Sequence, residues 1–553
     1  MDTTPTKKAG LRSGGQILVA ALRLHGTDTI FGVPGEGALP IFDALLDEYP
    51  RVKFIVCRHE ANASHMAEAD AKLTGRPGVC MVSRGPGAMH AAIGVHTAWQ
   101  DSTPMVLIIG QVPRHHIGRE AFQEMEFTRV FAGMTKWAAQ IEDATSIPEF
   151  VSRAFHVATH GRPGPVALSI PEDVLSGVSG VQDAAPYHAV ESNPAASDMV
   201  ELRRLLQAAR RPLVIVGGGG WTPQDATGFA DFVGRNDLPV AAGFRSQDIF
   251  DNASDQYIGD MSLGGSRPLA ARVAESDVLL VVGDRLGEVT TRAYTAIACP
   301  NPTQVLIHVH PGAEELGRVY NPTLPIQSSI GNFVAALTQL APLDPAAWKT
   351  WRAAGRQAYL DYQIAADKAG SFNLAKAVRH LRERLPVDAI VTNGAGNCNI
   401  WLHRFFSYRQ LGTQVAPRSG AMGYGFAAAI AAKLRRPEKI VIGFAGDGCF
   451  TMSSPEMATA VHYNVPLVII VVNNSMYGSI RMHQERHYPG RPSATSLTNP
   501  DFAAFARSFG AHGETVEQDS DFPAALERAL ASGGPALIEV RVDPRQLTPD
   551  LAI

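Results

Sequence analysis

Two apolar runs near the end of the chain finish in side chains that bind metal ions. Asp447 lies between Gly446 and Gly448 directly after KIVIGFA, and Asn474 closes VPLVIIVVNN. A carboxylate and a carboxamide oxygen suit Mg²⁺, but two ligands leave its shell of about six oxygens incomplete, and phosphate oxygens and water commonly supply the remainder. The glycines let a bound group approach the backbone closely. The pattern therefore predicts a site for Mg²⁺ together with a diphosphate.

The elements around these residues explain how they would meet. Both apolar runs are typical of buried parallel strands, and residues 449–472 between the motifs read as a helix, beginning near Ser453, followed by the second strand. The carboxyl ends of parallel strands lie at one edge of the sheet, where open α/β sheets bind ligands. The alternative is that Asp447 and Asn474 only cap ordinary loops, a use to which both residue types are suited.

Strand and helix patterns alternate along the chain in three blocks. The chain has 553 residues, more than one hydrophobic core usually supports. Buried apolar runs separated by helical periodicity are typical of parallel sheets. We therefore predict the α/β class, with three doubly wound parallel-sheet domains at residues 12–180, 199–343 and 372–545. The predicted strands are TIFGV, KFIVC, GVCMV, PMVLIIG and GPVALSI, then PLVIVGGGG, DVLLVVGDR and TQVLIHVHP, then DAIVTNG, KIVIGFA, PLVIIVV and PALIEVRV.

The composition limits the kinds of partner. Acidic and basic residues are interspersed and give a net charge of −4, which argues against nucleic acid or an anionic membrane as the main partner. The five cysteines show no CxxC spacing, which disfavours a disulfide framework and a zinc site. The first residues are polar with no apolar segment behind them, and no stretch reaches the roughly 18 apolar residues of a membrane span. We therefore expect a cytoplasmic protein that acts on small molecules.

Several motifs resemble those of one family. The GDG and NN unit resembles the diphosphate- and metal-binding motif of thiamine diphosphate enzymes. Residues 57–113 resemble the pyrimidine-binding domain of acetolactate synthase and its relatives along their whole length, and AFQEMEF (121–127) and AMGYGFAAAIAA (421–432) extend the match in the same order. The chain is identified as a member of this family, similar to the large catalytic subunit of acetolactate synthase. The resemblance implies a pyrimidine-binding, a middle and a diphosphate-binding domain, in that order.

The resemblance also implies where the cofactor and the metal bind. It predicts thiamine diphosphate and Mg²⁺, with Asp447, Asn474 and the main-chain carbonyl of Met476 as metal ligands. Met422 stands where the family places a large apolar side chain between the two rings of the cofactor, although by periodicity alone it is a core residue. Asn397 keeps the amide function of the Gln that acetolactate synthases carry there. The remaining cofactor contacts implied by the resemblance are Pro34, Gly85, Gly396, Gly446, Gly448 and Tyr477.

The catalytic acid is assigned to the first domain. Glu60, in RHE, falls where the family carries its catalytic glutamate. A carboxyl group hydrogen-bonded to N1′ of the pyrimidine promotes the imino form of the 4′-amino group, which then removes the C2 proton of the cofactor. Without the family, Glu60 beside Arg58 and His59 would be interpreted as a solvated ion pair. The resemblance favours the catalytic role.

Two sets of residues point to different reactions. Phe122 and Gln123 match the AFQ element of the synthases, whose Gln faces the reacting carbonyl in carboligases. Glu36 stands where simple 2-oxo acid decarboxylases carry an acidic residue, and His115 and His116 are similar to their paired histidines. A carboxylate and an imidazole near C2 would protonate the species left by CO₂ loss and release an aldehyde. The alternative is that adjacent histidines on a loop have no catalytic role.

The substrate pocket departs from that of acetolactate synthase. His483 stands where that family carries Trp, and Val289 stands where it carries an Arg, four positions after Arg285. The second change removes a group that could bind a substrate carboxylate, unless Arg292 replaces it. The sequence therefore predicts 2-oxo acid chemistry without fixing pyruvate as the substrate.

The middle domain leaves a second cofactor open. Synthases of this family bind FAD there, and Arg285 and the glycine run at 217–220 are compatible with it. However, GGGG lacks the GxGxxG spacing of dinucleotide sites, and MSLGGS differs from the flavin-contacting segment of the family. FAD is thus an alternative, not a prediction.

The predicted reaction is decarboxylation of a 2-oxo acid and transfer of the acyl anion equivalent to a second carbonyl. Family members assemble each active site between two chains, so the resemblance implies a homodimer or a homotetramer. The alternatives are a non-oxidative decarboxylase that releases an aldehyde and a catalytically silent relative that only binds the cofactor. Joint retention of Glu60, Asp447, Asn474 and Met422 argues against the silent relative.

Overall fold

The computed structural model of the protein describes residues 10–364 and 372–553. Over these residues the chain forms two compact units, divided between Val190 and Glu191. The first unit contains one six-stranded sheet and the second contains two. All strand pairs within these three sheets are parallel. The predicted α/β class with three parallel-sheet domains is therefore confirmed.

The first unit alternates strands and helices throughout. Its elements are β1 (Arg12–Ser13), α1 (Gly14–Leu24), β2 (Thr29–Gly32), α2 (Leu39–Glu48), β3 (Lys53–Val56), α3 (Glu60–Thr74), β4 (Gly78–Ser83), α4 (Arg84–Asp101), β5 (Met105–Gln111), α5 (Phe127–Phe131), β6 (Trp137–Gln140), α6 (Ile147–Thr159), β7 (Pro165–Pro171), α7 (Glu172–Ser176) and β8 (Val178–Ser179). The sheet order is β3-β2-β4-β5-β7-β6, and β1 pairs with β8 in a separate antiparallel ribbon. The chain leaves β2 towards one edge of the sheet and β4 towards the other. Ligands bind at the carboxyl ends of strands beside such a reversal.

The second unit begins with the middle sheet. Its elements are α8 (Ala196–Gln207), β9 (Pro212–Val216), α9 (Pro223–Arg235), β10 (Val240–Ala242), β11 (Tyr257–Asp260), α10 (Arg267–Glu275), β12 (Val278–Val282), β13 (Val305–His310), β14 (Leu324–Gln327), α11 (Ile330–Thr338) and α12 (Lys349–Tyr362). The order β11-β10-β9-β12-β13-β14 is that of dinucleotide-binding sheets. Its reversal lies between β9 and β12.

The last sheet completes the second unit. Its elements are α13 (Leu374–Arg384), β15 (Ile390–Asn393), α14 (Cys398–Phe405), β16 (Gln414–Val415), α15 (Tyr424–Arg435), β17 (Val441–Gly446), α16 (Asp447–Thr451), α17 (Met457–His462), β18 (Val468–Asn473), α18 (Gly478–His487), α19 (Phe502–Ser508), β19 (His512–Val516), α20 (Phe522–Ala531), β20 (Ala536–Arg541), β21 (Gln546–Thr548) and β22 (Leu551–Ala552). The order β16-β15-β17-β18-β20-β19 repeats that of the first sheet, with the reversal between β15 and β17. The short strands β21 and β22 pair with each other.

Most of the predicted strands are long and buried, whereas the missed strands are short or lie at sheet edges. Every predicted apolar run forms a strand, and β5, β7, β9 and β12 are buried at every residue. Within the three six-stranded sheets the pattern missed β6, β10, β11, β14, β16 and β19, and all except β10 lie at a sheet edge; it also missed the short strands β1, β8, β21 and β22. Edge strands such as β6 and β14 are only partly buried, so they lack a continuous apolar run. None of the helices in the described residues is long and apolar enough to cross a membrane.

A short helix precedes the one expected near Ser453. Gly446 is the N-cap and Asp447 is the first residue of α16, so the carboxylate stands at the start of a helical turn and not in a free loop. The helix expected to begin near Ser453 follows as a 3₁₀ turn at Ser454–Glu456, with Ser453 as its N-cap, and the helix α17. The pattern missed α16 because this short helix begins directly after β17 and is too short to show a helical period.

A buried carboxylate joins the two sheets of the second unit. Asp248, which is 7% exposed, accepts hydrogen bonds from the backbone N–H groups of Gly412, Thr413 and Gln414 at 2.8, 3.1 and 3.1 Å. Burial raises the pKa of Asp248 to about 6, although the three N–H groups act in the opposite direction. This contact fixes the segment that leads into β16.

We predict that Asp248→Ala destabilises the second unit. The substitution leaves the N–H groups of Thr413 and Gln414 buried without their acceptor and that of Gly412 half-buried. Each unsatisfied buried group costs about 1–3 kcal/mol, so the free energy of unfolding should fall by about 2 kcal/mol or more. Thermal and urea unfolding measure it. Asp251→Ala is the matched control, because its exposed carboxylate pairs with Arg409 and should contribute about 1 kcal/mol or less. Equal losses in the two variants would contradict the assigned role.

Candidate active site

The diphosphate prediction concerns the reversal point of the last sheet. The loop with Gly396 follows β15 and the turn with Gly446 follows β17, and β15 and β17 are neighbours. Gly396 has φ +127°, which only glycine adopts without strain. A Cβ added at Gly446 would meet only Cys398 Sγ, at 3.6 Å. At the ends of β15 and β17, therefore, few side chains cover the backbone. An anion needs this space to bind close to the chain.

Asp447 is buried and held by several donors. It is 2% exposed, its Oδ1 accepts from the backbone N–H of Gly448 at 2.8 Å, and its Oδ2 accepts from Nδ2 of Asn499 at 2.7 Å. The backbone N–H groups of Asn474 and Ser475 also bond to it. Burial raises the pKa of Asp447, and these hydrogen bonds act in the opposite direction. The carboxylate therefore has a fixed orientation at the end of β17.

The other two predicted ligands lie in the turn after β18. Asn474 Oδ1 accepts from the N–H of Met476 at 3.2 Å, and Ser475 adopts the left-handed region with φ +52°. The turn is anchored by Tyr477 N–H donating to the carbonyl of Thr495 at 2.8 Å. Since Asn474 also donates its backbone N–H to Asp447, the structure brings the predicted carboxylate and carboxamide together. The roles of Asp447, Asn474 and Met476 as metal ligands remain a prediction.

Asn499 was missed by the sequence analysis. Its Nδ2 donates both to Asp447 Oδ2 at 2.7 Å and to Asn473 Oδ1 at 2.9 Å. Asn473 in turn donates to Glu539 Oε1 at 2.6 Å, and the fully buried Glu539 also accepts from Thr515 at 2.9 Å. This chain of hydrogen bonds runs across β17, β18, β20 and β19. A lone Asn in TSLTNPD gave no signal, because its partners are distant in sequence.

The remaining predicted cofactor contacts in this domain pack around the same edge. Asn397, 8% exposed, donates to the carbonyl of Leu547 at 2.5 Å. A Cβ at Gly478 would lie 2.6 Å from Asn397 Oδ1, and a Cβ at Gly448 would lie 2.6 Å from Cε1 of Tyr477. These glycines are therefore required by packing. Met422, before α15, is half-buried.

The donor set fits Mg²⁺ with a diphosphate. One carboxylate, one carboxamide and one backbone carbonyl provide hard oxygen ligands and leave positions for phosphate oxygens and water. Burial raises the pKa of the Cys398 thiol, so this side chain offers no thiolate to a metal. The glycine turns at Gly396 and Gly446 supply space for the phosphates.

The predicted catalytic acid lies in the first unit, at the start of α3. Glu60 is half-buried, and its Oε2 is 2.9 Å from Nδ1 of His90. Gly85 donates its N–H to the carbonyl of Gln123 at 3.0 Å, and Gln123 has φ +68°. A Cβ added at Gly87 would lie 3.4 Å from Glu60 Oε1. The first turn of α4 thus lies between Glu60 and the AFQ element.

The residues that favoured a simple decarboxylase lie on exposed surface of this unit. Pro34 and Glu36 follow β2 and are exposed, as are His115 and His116. The two imidazole rings contact each other at 4.2 Å. Among residues 10–190, no hydrogen bond joins them to Glu36 or Glu60.

Phe122, of the AFQ element, is also on the surface of this unit, with 77% of its area exposed.

Ionisable side chains of the protein lie at the reversal point of the middle sheet. Asp284, 5% exposed, follows β12, and a Cβ added at Gly217 would lie 2.3 Å from its Oδ2. Arg418 donates to the carbonyl of Gly218 at 3.1 Å, and Arg285 is paired with Glu315 at 3.1 Å. Burial raises the pKa of Asp284, while Arg418 acts in the opposite direction. A buried carboxyl group fills the place where a dinucleotide phosphate would approach, so these residues do not fit FAD well.

Models of the domains of one enzyme family match the three sheets. The thiamine pyrophosphate enzyme N-terminal TPP binding domain matches residues 12–130, the central domain matches 199–337 and the C-terminal TPP binding domain matches 394–540. The chain is 31% identical to the acetolactate synthase isozyme 2 large subunit of Escherichia coli (strain K12) over 96% of both chains. The chain belongs to the thiamine pyrophosphate-dependent enzyme family.

Other relatives give the same result. The chain is 30% identical to a probable acetolactate synthase large subunit of Methanocaldococcus jannaschii, over 97% of this chain and 93% of the relative. It is 31% identical to an acetolactate synthase of Mycobacterium bovis, over 94% of this chain and 86% of the relative. The predictions of an acetolactate synthase-like enzyme and of thiamine diphosphate as its cofactor are therefore confirmed.

We predict that Asp447→Ala abolishes Mg²⁺-dependent binding of thiamine diphosphate, because the only carboxylate of the donor set is lost. Asn499→Ala should weaken it by about 10-fold, since a group that orients a metal ligand typically contributes that much. Titration of the cofactor with and without Mg²⁺ by fluorescence quenching measures both. Asp388→Ala is the control, because Asp388 pairs with Lys439 before β15, at the opposite end of the sheet. Unchanged affinity in Asp447→Ala would refute the site.

Proposed function

We propose that the enzyme decarboxylates a 2-oxo acid and transfers the resulting acyl anion equivalent to a second carbonyl compound. The observation that carries the proposal is the retention, on the fold of the family, of a buried strand-end carboxylate at Asp447 beside the Asn474 turn, together with Glu60 at a helix start. A silent relative would need neither. Named relatives that synthesise acetolactate support the same reaction class.

The residues of the last domain would bind the metal diphosphate. Asp447, Asn474 and the carbonyl of Met476 supply Mg²⁺ ligands, and the glycine turns at Gly396 and Gly446 leave room for the phosphates. Thiamine diphosphate, when bound, supplies the carbanion chemistry. Because Asp447 is held by Asn499 at 2.7 Å, the site is preorganised and little ordering is needed on binding.

Glu60 would hold and release the proton that activates the pyrimidine. Its Oε2 is engaged by His90, and its Oε1 lies near Gly87, 3.4 Å from where a Cβ of that residue would stand. A carboxyl group that is half-buried and fixed through one oxygen can present the other to a ring nitrogen with a defined geometry.

The AFQ element favours transfer to an acceptor over release of an aldehyde. The Gln123 carbonyl bonds Gly85 on the first turn of α4, which places this residue beside the glycine predicted to contact the cofactor. His115 and His116, by contrast, are exposed and contact each other. A non-oxidative decarboxylase is the second candidate, and it would depend on Glu36 and these histidines.

Two further assignments belong to the proposal. The domains are taken as residues 12–180, 199–343 and 372–545, which contain the three family-model matches. The enzyme is taken to be a homodimer or a homotetramer with active sites formed by two chains, as expected for relatives of acetolactate synthase. Sedimentation of the purified protein tests the assembly, and a monomer that turns over would contradict it.

The middle domain is the part of the chain where synthases of this family bind FAD. The buried Asp284 disfavours a phosphate at the middle sheet, so we propose that the enzyme works without flavin. The absorption spectrum of the purified protein, before and after incubation with FAD and gel filtration, tests this. A flavin absorption band that remains after gel filtration would show that the protein binds FAD and would contradict this proposal.

We predict that Glu60→Gln keeps affinity for thiamine diphosphate within about twofold but lowers turnover by about 100-fold or more, because an amide cannot exchange the proton. Cofactor titration and CO₂ release measure the two effects. Glu527→Gln is the control, since Glu527 is exposed on α20 and pairs with Arg384, outside every predicted site. Wild-type turnover in Glu60→Gln would remove Glu60 from the mechanism.

Product analysis decides between the two candidate reactions. The enzyme with thiamine diphosphate and Mg²⁺ should be offered a panel of 2-oxo acids including pyruvate, with and without an acceptor aldehyde or a second 2-oxo acid, and CO₂, aldehyde and coupled product should be quantified together. We expect a coupled product from at least one pair. Free aldehyde as the sole product would favour the decarboxylase, and no CO₂ from any acid would contradict both.

A further inference from the structure

His90 contacts the predicted catalytic acid directly. It lies on α4 near its N-terminus, and its Nδ1 is 2.9 Å from Oε2 of Glu60. When Glu60 is ionised, the imidazole N–H donates to the carboxylate, and when Glu60 carries the proton, the carboxyl O–H donates to the ring nitrogen. The pair can therefore share one proton without moving either side chain.

The two partners differ in their access to water. The side chain of Glu60 is 18% exposed, whereas that of His90 is 53% exposed. The carboxyl group is thus mostly covered, and the imidazole connects it to the surface of its unit. Imidazole is the side chain that takes up and releases protons near neutral pH.

The two oxygens of Glu60 face different surroundings. Oε2 is held by His90, while a Cβ at Gly87 would lie 3.4 Å from Oε1, so that oxygen lies beside the first turn of α4. Oε1 can therefore meet a ligand ring while Oε2 stays in contact with the imidazole. The arrangement separates the oxygen that serves the cofactor from the oxygen that is re-protonated.

The other titratable groups around the pair hold their protonation state. His59 stacks on His90 with ring centroids 4.5 Å apart. Burial lowers the pKa of His59, the charge of His90 lowers it further, and Glu60 raises it. Cys80 lies in β4, and burial raises the pKa of its thiol, with Glu60 acting in the same direction. Arg58, on the preceding turn, is exposed. His59 and Cys80 therefore stay neutral, and the contact between Glu60 and His90 is the one along which a proton can be exchanged.

We propose that His90 is the proton relay of the active site, exchanging protons between Glu60 and solvent. The inference rests on the proposed catalytic role of Glu60. After Glu60 has given its proton to the pyrimidine nitrogen, His90 transfers its Nδ1 proton to Oε2 and takes one from water at Nε2, and the reverse transfer returns the proton to solvent. One proton enters as one leaves.

A metal ion is the competing interpretation of the same cluster. His59, Glu60 and His90 offer ligating atoms within 4.8 Å of one another. However, His59 Nδ1 accepts the backbone N–H of Ala61 at 3.1 Å, so in the neutral ring Nε2 carries the hydrogen and has no lone pair for a metal. Two ligands remain, which is too few for a stable zinc site.

The test separates proton transfer from orientation of Glu60. His90→Gln keeps a hydrogen-bond donor but cannot relay a proton, and His90→Ala removes both functions. His96→Gln, an exposed histidine on the same helix, is the control. The readouts are the dissociation constant of thiamine diphosphate with Mg²⁺, the rate of hydrogen–deuterium exchange at C2 of the bound cofactor without substrate, and the pH profile of turnover.

We expect both His90 variants to bind the cofactor within about twofold of wild type. C2 exchange should fall by about 10-fold or more in both, and added imidazole should restore it in His90→Ala. If His90→Gln showed the wild-type rate of C2 exchange and an unchanged pH profile of turnover, the relay would be overturned. A side chain that only orients Glu60 would then be sufficient for activity. Turnover near wild type in both variants together with an inactive Glu60→Gln would also overturn it while leaving the proposed function intact.

Two further results would overturn the relay for other reasons. Wild-type turnover in Glu60→Gln would remove the relay together with the catalytic role of Glu60. The cluster would instead be a metal site if the purified protein contained one equivalent of zinc and His90→Gln did not. The same conclusion would follow if, after EDTA treatment, Mg²⁺ alone failed to restore activity and zinc was also needed.

Discussion

The candidate active site depends on one buried carboxylate and on the hydrogen-bond donors that hold it. Removing Asp447 from water disfavours its ionised form, and the protein offsets this with N–H groups from Gly448, Asn474 and Ser475 and with the carboxamide of Asn499. These donors are available only because the backbone turns at the end of β17 and the next strand ends beside it. The burial of Asp447 therefore depends on the glycine turn after β17 and on the position of β18 as the neighbouring strand.

The same construction occurs at both outer sheets with different chemical results. In the first sheet and the last, the chain reverses direction between two neighbouring strands, and the backbone there is left open by glycines. At the last sheet the open backbone lies beside the predicted metal ligands Asp447 and Asn474, and at the first sheet it borders Glu60. The middle sheet has the dinucleotide order, but Asp284 and Arg418 occupy its reversal point. Equal topology therefore does not imply an equal ligand.

Hydrogen bonds between residues far apart in sequence hold the functional side chains. Asn499 links the ends of β17 and β18, and the buried Glu539 extends that link to β19. His90 and Asn499 play similar parts, in that each contacts one oxygen of a carboxylate, Oε2 of Glu60 and Oδ2 of Asp447. Fixed carboxylates lose little freedom when a ligand binds.

The sequence by itself determined the class of fold, the family and the candidate cofactor residues. Strands buried on both faces, such as β9 and β12, are continuous apolar runs, and the GDG and NN motifs stand at the ends of two further runs of this kind, β17 and β18. Edge strands such as β6 escaped prediction because water on one side removes the apolar pattern. The start of α16 at Asp447 escaped it because a turn needs no hydrophobic period. Only the tertiary structure decided that Asn499 holds Asp447, that His90 contacts Glu60 and that Asp284 fills the middle crevice, since each contact joins segments whose separation in sequence carries no local signal.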